Sequence, residues 1–152
     1  PGMILLYESY FLLVLLSFFG AKSPKSIRAL SITMMVSSVI ACVIFLLFPG
    51  ELGFSRTVNI QGFESMFEAL HRMDKPHNLY PSLHITFSTI SAFTLLRKTH
   101  HKPLQVLLIL WLMMISLSVI LTHQHHLFDI ATGFVLAWIT LKFVYLKLES
   151  AK

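Results

Sequence analysis

Three of the chain's eight histidines, His123, His125 and His126, crowd into residues 121–129, which end on Asp129, one of only seven acidic residues. Long apolar runs flank this stretch on both sides. Ionisable groups at membrane depth are costly and usually functional. His125 and Asp129 are spaced i, i+4, so a helix beginning here sets both side chains on one face. A carboxylate so placed holds one imidazole nitrogen and leaves the other to attack a substrate or take up a proton. A second candidate, His84, follows Pro81-Ser82-Leu83 at the start of another apolar run. The chemistry within reach of these residue types is phosphoryl transfer. His125 can act as nucleophile through a phosphohistidine. His84 can protonate the leaving oxygen, because imidazole titrates around pH 6.5 when unperturbed. Arg56 can pair with phosphate oxygens through its planar fork, and the backbone amides of 82–84 add an anion site at a helix N-terminus. Such transfer depends mainly on positioning and charge stabilisation, and this inventory supplies both with no metal and no organic cofactor.

Composition says where this chemistry takes place. The 152 residues are 55% hydrophobic and 12% charged, about half the charge of a soluble domain, with a mean hydropathy of +0.73. An integral membrane protein is expected. The formal charge of +5 lies in short basic clusters between apolar runs, a positive-inside pattern rather than a phosphate-binding stripe, so nucleic acid is not an expected partner. The single Cys42 sits inside an apolar run and reads as a small core residue. No charged segment precedes the first run, so no secretory signal is expected.

The elements that must position these groups form an all-α polytopic bundle. Apolar runs at 3–20, 29–48, 81–96, 103–121 and 125–145 are each expected to cross the bilayer. A basic turn at 21–28, broken by Pro24, joins the first two. The one long loop, 50–80, carries Phe63, Met66, Phe67, Leu70 and Met73 at helical spacing, with Glu64, Glu68, Arg72 and Asp74 on other faces. That pattern predicts a short amphipathic helix lying in the interface, its stripe serving as an anchor. Tyr7 and Tyr10 read as interfacial belt residues and Glu8 as a carboxylate near a helix N-terminus. His126, about 100° from His125 on the same helix, is expected at the rim. Gly133, one turn beyond Asp129, should permit close helix packing. Lys22, Lys25, Arg28, Arg97, Lys98, Lys102, Lys142, Lys147 and Lys152 all fall on one side of a five-span chain, leaving only Arg56, Arg72 and Lys75 for the other. The basic side is then cytoplasmic, and His84 and His125 meet on the extracytoplasmic, periplasmic or lumenal, face.

Pro81-Ser82-Leu83-His84 resembles the Pro-Ser-Gly-His motif of the type 2 phosphatidic acid phosphatase superfamily. Ser118, His125 and Asp129 reproduce the spacing of its Ser-Arg-x5-His-x3-Asp motif, with Val119 in the arginine position. Leucine in place of glycine is similar to the inositolphosphotransferase branch, which includes inositol phosphorylceramide synthases. The resemblance implies that His125 is the nucleophile, Asp129 its partner and His84 the acid, with Ser82 and Ser118 contacting phosphate. It also implies one membrane-embedded domain over 1–152, with the first of the family's six spans upstream of Pro1. A third motif, Lys-x6-Arg-Pro, is matched only at Arg56; Pro49 and Thr57 stand in its other places. His123, when protonated, or Lys75 could replace the missing cation. The implied substrate is a phosphorylated lipid and the acceptor water or an alcohol such as inositol or a lipid hydroxyl. An inactive member that binds or transports lipid is the alternative. Metal or haem binding fits less well. Haem in a membrane bundle wants histidines deep inside two spans, and His125, His126 and Asp129 lack the Cys or Glu that often completes a zinc site.

Overall fold

A computed structural model of the chain describes residues 2–50, 52–53, 61–73 and 79–150. Arg56 and Lys75 lie outside the described residues. The chain folds into α1 (Met3–Gly20), α2 (Pro24–Leu47), α3 (Glu64–Met73), α4 (Leu83–Lys98), α5 (Lys102–Leu121) and α6 (Leu127–Thr140). A π-helical segment, Leu141–Tyr145, leads without a break into α7 (Leu146–Ser150). The described residues contain no strand, as expected of a helical membrane bundle. Among the described residues four helices are long and apolar enough to cross a membrane: α1, α2, α5 and the continuous Leu127–Ser150.

The expected third span, α4, has 16 residues, about 24 Å at 1.5 Å per residue. It is the hub of the bundle, packed against α1, α2, α5 and α6. That position explains its polarity. Thr86, Ser88, Ser91 and Thr94 are fully buried, where a lipid-facing helix would carry apolar groups. Thr94 Oγ1 donates to the Ile90 carbonyl (2.9 Å) and Ser17 Oγ of α1 to Ser91 Oγ (3.2 Å). The outer faces are apolar, as Phe19 and Leu46 illustrate by standing 73% and 83% exposed.

α2 starts five residues before the expected 29. Ser23 Oγ accepts from the Ser26 amide (3.1 Å), and Pro24 occupies the first turn, where its missing N–H and fixed φ are no handicap. The proline read as a breaker therefore opens the helix. α3 forms where the amphipathic pattern predicts, but its stripe packs on protein. Phe67 and Leu70 are buried against Ile4, Tyr7, Ile85, Val119 and Ile130, with Phe63 and Met66 alongside. It seals the end of the bundle where α4 begins rather than serving as a membrane anchor. At the other end of α4, Glu149 of α7 accepts from Lys98 Nζ (2.7 Å) and from Ser26 Oγ of α2 (3.1 Å), tying three helices together.

Candidate active site

The starts of α4 and α6 are joined backbone to backbone. Ser82 caps α4; its carbonyl accepts from the Thr86 amide (3.0 Å) and Thr86 Oγ1 (2.8 Å), and its Oγ lies 3.5 Å from the Ile85 amide. The Ser82 amide donates to the Asp129 carbonyl (3.0 Å), and Thr86 Oγ1 also reaches the Gly133 carbonyl (3.1 Å). A Cβ on Gly133 would stand 2.7 Å from the Ser82 carbonyl oxygen. The close approach expected at this glycine is therefore present.

His125 and Asp129 meet, but not along one helix face. His126 is the N-cap of α6, with φ −87° and ψ 166°, so His125 lies ahead of the helix. Asp129 is at the third helical position, and its Oδ2 accepts the His126 amide (2.8 Å) as a capping carboxylate. The same oxygen lies 3.3 Å from His125 Nδ1. Helix capping thus aims the carboxylate at the imidazole. Both side chains are buried. The other ring nitrogen, His125 Nε2, is buried with no hydrogen-bond partner among the described residues. The placement of His126 100° around the same helix is likewise corrected. It caps the helix, and its ring nitrogen Nε2 is 3.4 Å from the Gly53 amide.

His84, in the first turn of α4, brings its ring to 5.7 Å from that of His125, centroid to centroid. The two histidines separated by 41 positions in the chain thus stand side by side at one end of the bundle. Tyr7 Oη lies 2.7 Å from His84 Nε2, and the Tyr10 ring meets the imidazole edge-on at 4.7 Å. Tyr7 is only 1% exposed, so it is a residue of the site and not of an interfacial belt. The signal that could have found it is depth, since residues 7 and 84 lie at the same end of their helices.

The remaining expected residues are placed as follows. Ser118 is fully buried, and its Oγ donates to the Ile115 carbonyl of its own helix (2.7 Å). Val119, in the motif's arginine position, packs with Ile4, Tyr7 and Ile85. His123 is exposed, with φ +55°, on the turn into α6. Gln124, which sequence reasoning passed over, is buried beside them and donates Nε2–H to the Thr122 carbonyl (3.0 Å). Among the described residues no group of three or more His, Cys, Asp or Glu is arranged to hold a metal ion.

A buried imidazole with one nitrogen on a carboxylate and the other unengaged, facing a second imidazole, is suited to nucleophilic attack followed by proton transfer. No curated protein and no solved structure matches the chain. The family model described as PAP2 superfamily matches residues 4–143. That match runs from the first turn of α1 into the π-helical segment and takes in His84, His125 and Asp129, so the chain belongs to the PAP2 superfamily, a membership that supports phosphatase-type activity on a phosphorylated substrate.

Proposed function

We propose that the protein is an integral membrane phosphatase or phosphotransferase that acts on a lipid phosphate through a phosphohistidine on His125. The observation that carries this is the pairing of the His84 and His125 rings at 5.7 Å, with Asp129 on one nitrogen of His125 and the other unengaged. His125 Nε2 attacks phosphorus, the bond to the leaving oxygen breaks, and His84 gives that oxygen a proton. Asp129 holds the Nδ1–H and offsets the positive charge on the phosphorylated ring. Water or an alcohol then attacks the same phosphorus, surrenders its proton to His84 and frees His125. The amides of Leu83 and His84, in the first turn of α4, suit phosphate oxygens. Ser82, Ser118, Arg56 and His123 complete the proposed phosphate ligands.

The site lies at the end of the bundle, where a headgroup would reach it, which favours a lipid substrate. The basic residues Arg97, Lys98, Lys142 and Lys147 sit towards the opposite end, which favours an extracytoplasmic site. Leu83 and Val119 favour the inositolphosphotransferase-like branch, with inositol or a lipid hydroxyl as acceptor. The test is purified protein incubated with a panel of lipid phosphates, with and without alcohol acceptors, with products identified by mass spectrometry. Formation of free phosphate or of a new phosphodiester supports the proposal, and no turnover on any of them overturns it.

One observation favours a second function, a family member that binds or carries lipid without turnover. Among the described residues the only Arg or Lys at this end is Arg72, which is exposed and 3.8 Å from Glu68. Lipid binding that survives His125→Ala, in a parent with no turnover, identifies the binder.

A further inference from the structure

The end of the bundle away from the histidines holds a second concentration of charge, which the proposed reaction does not use. His84 opens α4 and Arg97 and Lys98 close it, about 20 Å away at 1.5 Å per residue. Between the last turn of α4 and α7 lies an open hollow of about 530 Å³, lined by Arg97, Lys98, Leu146, Lys147, Glu149 and Ser150. Small-molecule sites commonly measure about 300–1,000 Å³. Three cations here face one carboxylate. Glu149, 14% exposed, accepts from Lys98 Nζ (2.7 Å) and from Ser26 Oγ (3.1 Å), and its Oε2 lies 3.4 Å from Arg97 Nε. The carboxylate is thus fixed by α2, α4 and α7, and in turn holds both α4 cations beside the hollow. Arg97 meets it through Nε, and the two terminal guanidinium nitrogens have no hydrogen-bond partner among the described residues. Lys147 is near no carboxylate there; its Nζ stands 5.9 Å from the centre of the Phe143 ring. A planar fork with both arms open, beside two ammonium groups, matches the oxygens of a phosphate.

We propose that Arg97, Lys98 and Lys147 form a binding site for the phosphate of an anionic phospholipid, with Glu149 orienting the two α4 cations. The surroundings of the hollow point to a lipid rather than a soluble anion. Lys142 Nζ lies 5.0 Å from the Trp138 ring and 5.4 Å from the Phe143 ring, and both rings are exposed on the outer face of the last span. Tryptophan with lysine on an outward face marks the headgroup level of a bilayer, and lysine stems reach it along apolar surface. Leu146 gives the hollow an apolar wall next to the cations. The surplus of positive charge selects an anionic lipid over a zwitterionic one, whose own ammonium group would be brought up to Lys98 and Lys147. A phosphate seated there bridges α4 to α7 and braces the bundle at the end opposite the histidines.

The experiment supplies the purified chain in detergent with phosphatidylglycerol, phosphatidylcholine or inorganic phosphate, counts bound lipid by native mass spectrometry and follows Tm. The parent should retain phosphatidylglycerol in preference to phosphatidylcholine and gain Tm with it. A basic residue at an anionic lipid surface is worth roughly fivefold in affinity, so Arg97→Gln/Lys147→Gln should bind roughly 25-fold more weakly and lose the gain in Tm. Lys147→Gln alone leaves both ion pairs of Glu149 in place and should bind roughly fivefold more weakly, which keeps the test open if the double variant does not fold. Lys22→Gln/Lys102→Gln removes equal charge from exposed positions at the same end but outside the hollow, and should bind like the parent. Equal weakening in that control overturns the proposal, because the attraction is then diffuse. Phosphatidylglycerol binding that survives the loss of Arg97 and Lys147 also overturns it, as does phosphatidylcholine held equally well. A Tm gain from inorganic phosphate equal to that from phosphatidylglycerol overturns the choice of a lipid. None of these readouts requires turnover, so a chain that hydrolyses no lipid phosphate can still carry this site.

Discussion

Gly133→Ala tests whether the contact between α4 and α6 sets the catalytic geometry. The added Cβ would lie 2.7 Å from the Ser82 carbonyl oxygen and 3.1 Å from Ile85 Cβ, about 0.7 Å short of the 3.4 Å at which ordinary contact begins for the oxygen. That oxygen cannot turn aside, because it accepts from the Thr86 amide and hydroxyl, and the Ser82 amide is bonded to the Asp129 carbonyl. The helices must therefore separate by several tenths of an ångström where they carry His84 and Asp129. Overpacking of this kind costs about 1–3 kcal/mol, and at about 2–4 °C per kcal/mol for a chain of this size the Tm in detergent should fall by several degrees. A misplacement approaching 1 Å costs on the order of 10² in rate, so turnover should drop about 10–100-fold in protein that is still folded. Gly20→Ala is the control. Its Cβ meets Leu95 Cδ2 at 2.5 Å, the far end of a flexible side chain, with Leu95 Cγ at 3.8 Å, and it should leave Tm and turnover near parental values. Should Gly133→Ala match the parent in both measurements, the contact between α4 and α6 does not set the spacing of the catalytic groups.

The two histidines should fail differently. His125→Ala should abolish the base-stable, acid-labile radiolabelled phosphoenzyme with every substrate, while His84→Ala should keep most of the first step on nitrophenyl phosphate and lose about 10²–10⁴-fold on an alkyl phosphate. Asp129→Asn should fall between them, and reversed roles for the two histidines would refute the assignment. Turnover should survive EDTA, since the proposed chemistry uses no Lewis acid; loss on chelation restored by zinc or magnesium would point to a metal enzyme. In a Cys42→Ser background, a cysteine at the exposed Gln61 should label with an impermeant reagent from outside intact cells and one at the exposed His100 should not. Labelling of the second from outside would invert the orientation.

The apolar runs, the helical character and the two histidine motifs were legible in the sequence because each is a local pattern. A run of apolar residues reports a helix that must hide its backbone from lipid. Pro81-Ser82 ahead of a run reports a helix start, and the i, i+4 spacing of His125 and Asp129 correctly paired them. The means of pairing was not legible. Whether α6 begins before or after His125 depends on which group caps it, and the Asp129 carboxylate decides that by accepting the His126 amide. The amphipathic stripe of α3 has the same period whether it faces lipid or protein, and only the packing of Phe67 and Leu70 on Ile4 and Val119 chose protein. That the hydroxyl-rich α4 is surrounded by other helices was not legible, because composition does not say which neighbours a helix packs against. The placement of Tyr7 on His84 Nε2 joins residues separated by 77 positions. No periodicity links them; α1 and α4 had to pack side by side at a common depth before the phenol met the imidazole.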